Sequence, residues 1–186
     1  MLESDDPDLL RQGDELLVGL TTGLSPRLRA EIAWVMLGDR QWLIAAKVMA
    51  PEQSGEALSA LVSGCIEAVL EHVARVAPPE VERLRWLHGQ LSSGDRNLAK
   101  RRGRQAMVDA GRADAPTRIG DFVGGVRRLI ISASTKPTEA VVGPLAEQAV
   151  RLLVFNRPEA VISATLEAHR LQRRLLAAAL GLEATD

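Results

Sequence analysis

Aromatic residues are scarce in this 186-residue chain: three Trp, two Phe and no Tyr. Without tyrosine there is no phenol for acid–base chemistry, and five rings offer little for stacking on nucleic-acid bases. Apolar residues still make up 46% of the chain, so its core must be aliphatic. A single cysteine, Cys65, excludes a disulfide framework. No uninterrupted apolar run reaches the roughly 18 residues of a membrane span. The opening Met1-Leu2-Glu3-Ser4-Asp5-Asp6 is acidic where a secretory signal would be basic and then apolar, so a cytoplasmic location is expected. With 23 basic and 24 acidic residues the net charge is −1, which gives no global attraction to nucleic acid or membrane. That balance, with the apolar content, also excludes a disordered chain.

What is present reads as a string of helices. Asp6-Pro7 and Ser25-Pro26 each place a capping residue before a proline at the first helical position. Pro51, Pro78-Pro79, Lys136-Pro137 and Asn156-Arg157-Pro158 punctuate the rest. The expected helices are 7–22, 26–36, 39–49, 52–76, 79–92, 95–110, 117–132, 138–155 and 158–181. Within 52–76 the residues Leu58, Val62, Cys65, Val69, His72 and Val76 share one face, and Val81, Leu84, His88 and Leu91 do so in 79–92. In the last helix Val161, Ala164, Ala168, Leu171, Leu175, Ala178 and Leu182 step alternately by three and four, a heptad-like seam. It suits a bundle helix, or a homodimer through residues 161–182. The segment 119–132 carries Gly124-Gly125 and the β-branched pair Ile130-Ile131, so it is read as a helix with a kink or a close packing point at the glycines, a strand remaining the alternative.

The fold class expected is therefore all-α: one helical bundle of about seven to nine helices over residues 1–186. Its first half suits helical hairpins, and its best internal boundary is near 111–117.

Chemistry-bearing motifs are few. There is no Gly-rich phosphate loop ending in Lys-Ser or Lys-Thr, and no Gly-x-Ser-x-Gly elbow. His72, His88 and His169 do not fall in a metal-ligand spacing, so neither metal nor cofactor is expected. Glu67 and Glu71 read as a solvated pair one turn apart. His72 and His88 sit on apolar stripes that a hairpin would bring near each other. With Cys65 they form the candidate pocket, against the simpler reading of three core residues. Trp34 and Trp42 flank a turn and should anchor two helices. Trp86 lies off its stripe; an exposed interface anchor is one reading, but it is expected to fill core space because large side chains are scarce.

Charge is unevenly placed. Residues 1–15 hold six acidic side chains against Arg11, a net of −5. Residues 96–118 hold seven basic against two acidic, a net of +5. Lys100, Arg101, Arg102 and Arg104 are the candidate contact patch. A solvated helix meeting an acidic segment, the chain's own or that of a protein partner, suits it better than nucleic acid, because those side chains wrap around the helix and no aromatic is interleaved.

Two apolar motifs bear a likeness. Leu9-Leu10-Arg11-Gln12-Gly13, with the later Leu37-Gly38-Asp39-Arg40-Gln41-Trp42-Leu43-Ile44-Ala45-Ala46, resembles the Leu-Leu-x-x-Gly and Leu-x-x-Arg-x-x-x-Trp-Trp-Ala of an uncharacterised helical bacterial family encoded beside type VI secretion clusters. Trp86, Arg96, Ala106 and Ala110 echo its later Trp, Arg and paired Ala. Here one tryptophan stands at 42, and the Arg-to-Trp spacing is shorter. The resemblance implies a secretion-associated accessory protein and carries no catalytic residue. The expected function is a non-catalytic adaptor working through helix faces. A nucleic-acid-binding regulator using 96–118 is one alternative. A helical enzyme or ligand sensor near His72, His88 and Cys65 is the other.

Overall fold

Prolines or hydroxyl caps set several of the helix starts. In the computed structural model, which describes residues 7–92, 96–111, 117–157 and 160–182, these segments form α1 (Pro7–Thr21), α2 (Pro26–Gly38), α3 (Trp42–Met49), α4 (Ser54–Val76), α5 (Pro78–Leu91), α6 (Arg96–Gly111), α7 (Arg118–Thr135), α8 (Thr138–Leu153) and α9 (Val161–Ala179). The protein is an all-α bundle, and no strand occurs among the described residues. Ser25 accepts from the Leu28 amide to cap α2, and Thr117 accepts from the Gly120 amide at 2.9 Å to cap α7. The segment 119–132 is wholly helical, since that cap and the core face of Phe122, Val126, Leu129 and Ile130 outweigh the two glycines. Residues 1–6, which carry three of the six acidic side chains of the opening, and 112–116, within the expected internal boundary, lie outside the described residues.

The core is built around α4. Its residues Leu58, Leu61, Val69, Leu70 and Val73 are fully enclosed, and α3, α5, α7, α8 and α9 all pack against it. The single stripe expected from the sequence is only one of its two buried faces, because α4 has neighbours on both sides. It is also the one described helix with the length and composition of a membrane span, and most of that stretch is buried inside the bundle.

The motif at 37–46 is a structural corner. Asp39 ends α2, and Arg40 adopts φ 62°. The Arg40 amide donates to Leu37 O and the Gln41 amide to Met36 O, the paired bonds of a left-handed helix stop. Leu37, Trp42, Ala45 and Ala46 are buried in the core. Trp34, half-buried, lies under the Arg173 guanidinium at 4.6 Å. Both tryptophans thus anchor this corner, as expected.

The register of α9 differs from the heptad reading. Ala164, Ala168, Gln172 and Leu176 form its buried row, whereas Val161 and Ala178 are exposed. A straight helix has 3.6 residues per turn, so a 3.5-residue seam drifts off the contact line within two heptads. The buried row packs on α4 and α8, so Ala164 and Ala168 of the seam suggested for a homodimer are covered within the chain, while Val161 and Ala178 are exposed.

Candidate partner-binding surface and groove

The basic helix α6 lies on α7 along a line of small residues. Ala99 and Gly103 are buried, and a Cβ at Gly103 would stand 2.9 Å from Ile131 Cγ2. That close approach leaves Lys100, Arg101, Arg102 and Arg104 exposed around the remaining arc. Arg102 is set apart from the other three. Its Nη1 donates to Gln90 O at 3.1 Å, so it covers a carbonyl in the last turn of α5. Among the described residues the sequence patch is therefore three cations without an ion pair and one helix-capping arginine.

One turn before Gln90 stands Trp86, which is 67% exposed. This corrects the expectation that it fills the core. The α5 face toward α4 and α7 is occupied by Val81, Leu84, Leu87 and Leu91, leaving no inward place for position 86. Arg83 and Arg85 beside it are paired with Glu80 and Glu82.

Cys65, His72 and His88 do not converge on one pocket. Cys65 is buried beside a void between α4, α7 and α8 that has no room for water. Burial pushes its thiol up to about 11, against the opposing pull of a hydrogen bond with Gln172, so it is protonated at neutral pH and a poor nucleophile. His88 Nδ1 lies 3.5 Å from Glu67 Oε1, and the ring lines a separate cavity of about 360 Å³ with Ser59, Ser63, Ser92, Ser134 and Thr138. Among the described residues no group of three or more His, Cys, Asp or Glu is placed to hold a metal ion.

His72 faces the far end of the bundle and is 3% exposed. Its Nε2 donates to Phe155 O at 3.0 Å, and its ring meets Phe122 edge-on at 5.8 Å. Nδ1 is buried with no hydrogen-bond partner. A second ring proton would therefore be a buried N–H without an acceptor. Burial is the main force holding the His72 pKa below its usual 6.5; the Phe155 carbonyl opposes it, and Arg157 and Arg75 add to it. The folded state binds fewer protons here than the unfolded chain, so stability is full above pH 6.5 and falls as pH drops below it. His169, held down by burial and by Arg40, adds in the same direction. Urea midpoints should fall between pH 7.5 and 5.5, and His72→Gln, whose amide can make the same bond to Phe155 O, should flatten that slope. An unchanged slope in His72→Gln would show that His72 does not set it.

The Phe122–Phe155 pair above His72 floors a groove that the sequence did not reveal. The rings stack at 4.3 Å and 12°, Phe122 from α7 and Phe155 from the turn after α8. The groove runs between α7 and α8 and has a volume of about 600 Å³. Gly125 lets the two helices close, because a Cβ there would stand 3.0 Å from Leu152 Cδ2. Gln148 Nε2 donates to Gly125 O at 3.0 Å across the same contact. Arg118, Arg128 and Arg151 line the walls with Asp121 and Glu147. Arg151 pairs with Glu147, and the Arg118 Cζ lies 5.4 Å from the Phe155 ring centroid. No family model, no curated protein and no solved structure matches the chain.

Proposed function

We propose that this chain is a non-catalytic cytoplasmic adaptor that holds an acidic protein surface against the α5–α6 side of its bundle. The observation that carries this reading is Trp86, a largely exposed indole on α5 beside a helix with three exposed cations, Lys100, Arg101 and Arg104. Exposed tryptophans are frequent energetic centres of protein contacts, and a cationic border selects an acidic partner and speeds its approach. The resemblance over residues 37–46 supports a secretion-machine component as that partner, although those residues themselves build a buried corner.

The test is co-purification with the tagged full chain from its native cells, followed by affinity measurement on the recovered partner. Trp86→Ala should weaken binding about 30-fold, the scale of a 2 kcal/mol contact. Reversing Lys100, Arg101 and Arg104 to Glu should weaken it by a further factor of about ten and flatten its salt dependence. Arg102 is left in place so that α5 keeps its cap. Recovery of nucleic acid alone, with affinity falling steeply in salt, would replace this reading by the regulator. A partner that binds both variants like the wild type would remove the surface from consideration.

A further inference from the structure

The α7–α8 groove lies outside the contact surface just described. We propose that it binds a small amphipathic organic anion, an apolar or aromatic body carrying a carboxylate or phosphate group. Three independent features of the groove converge on that chemistry.

Its size comes first. About 600 Å³ falls within the range of small-molecule sites, which are mostly apolar with a few placed polar groups. Its floor comes second. Phe155 is half-buried and rests on buried Phe122, and Leu152 and Pro144 extend the apolar surface. Phe155 is also held from beneath, since its carbonyl receives His72 Nε2 and Asn156 turns the chain with φ 60° just beyond it. The ring therefore does not need to be ordered by a ligand.

Charge is the third. Arg151 is neutralised by Glu147, but Arg118 and Arg128 make no ion pair among the described residues. The Arg128 guanidinium lies along its own helix, 3.7 Å from where a Cβ of Gly124 would stand. Arg118 sits over the aromatic floor itself. On α7 the order Arg118, Asp121, Gly125, Arg128 runs along one stripe by steps of three and four. The Asp121 carboxylate, itself without an ion pair among the described residues, repels an anion from the middle of that stripe. The head group is thereby directed to the Arg118 end, where the cation and the ring floor meet, and Arg128, about 15 Å away along the helix, adds only a longer-range attraction.

Isothermal titration of the full-length protein with 2-naphthoate, 1-naphthyl phosphate and dodecanoate tests this, with neutral 2-naphthamide as comparator. At least one anionic probe should bind, and its neutral comparator about tenfold more weakly or not at all. Arg118→Gln should reduce binding about tenfold, and Arg128→Gln by a smaller factor. Phe155→Leu should weaken the two naphthyl probes more than dodecanoate. Both arginines are exposed, so unchanged melting temperatures would show that their variants are folded. The Lys100→Glu, Arg101→Glu, Arg104→Glu variant should bind every probe like the wild type, which separates this site from the adaptor surface. The proposal is overturned if no anionic probe binds at millimolar concentration, if 2-naphthamide binds as well as 2-naphthoate, or if Arg118→Gln leaves affinity unchanged.

Discussion

Phe122→Ala is expected to lower the unfolding free energy by about 3–5 kcal/mol, the usual range for removing a buried phenylalanine. Phe122 is 3% exposed and touches two other rings, Phe155 by stacking and His72 by its edge. The scarcity of aromatics bears on the size of the effect. The two rings it touches are tied to each other, His72 Nε2 donating to Phe155 O at 3.0 Å, which holds both back from filling the space. The surrounding residues Val123, Val126 and Leu129 are fixed on α7, and α7 is tied to α8 at the Gly125–Leu152 contact, which limits collapse of the cavity. A stable domain has about 5–15 kcal/mol in all, so the loss should be visible as a large fall in urea midpoint with little change in slope. Phe122→Leu keeps most of the volume and should lose less than about 1.5 kcal/mol. A loss below about 1 kcal/mol in Phe122→Ala would mean that the floor of the groove is not closed packing.

The helix boundaries are legible because prolines mark the starts of α1, α2, α5 and α8, hydroxyls cap α2 and α7, and apolar periodicity carries the rest. Sequence and structure differ by a few residues at most ends, and α8 runs through Pro144 without stopping. Ala140, whose carbonyl loses its helical donor there, is exposed and can be served by water. Three features could not be read. Composition favours the core for Trp86, but α5 has its inward positions filled by four aliphatic residues. The α9 register was read as a heptad because alanine and leucine recur at that spacing, but contact lines follow the true helical repeat. The groove was invisible because its two rings stand 33 positions apart and its arginines lie on two helices. The signal available was Gly124-Gly125, correctly a close packing point. Nothing in the sequence told which helix would approach it, or that Phe155 would fall past the end of α8 and turn inward.

Gln172→Glu is expected to destabilise the fold at pH 7 by about 3 kcal/mol or more, the scale of an unpaired buried charge. Gln172 is 1% exposed in the middle of α9, at a position that the seam reading leaves off the contact line. Its Nε2 donates to Ala146 O of α8 at 2.7 Å, and its side chain is also hydrogen-bonded with Cys65 of α4. One amide thus ties the three central helices together. A carboxylate in its place would turn an acceptor toward the Ala146 carbonyl with no cation beside it. The folded protein would hold that carboxyl protonated, raising its pKa above the unfolded value of about 4.3. For a raised acid the penalty is absent below the unfolded pKa and grows as pH rises above it. The difference between variant and wild type, measured at each pH so that His72 and His169 cancel, should therefore shrink from pH 7 toward pH 4. Gln172→Met, similar in length and uncharged, should lose only about 1 kcal/mol and show no such pH dependence. A Glu variant as stable as the Met variant at pH 7 would mean that water reaches position 172, and that the junction of α4, α8 and α9 is open.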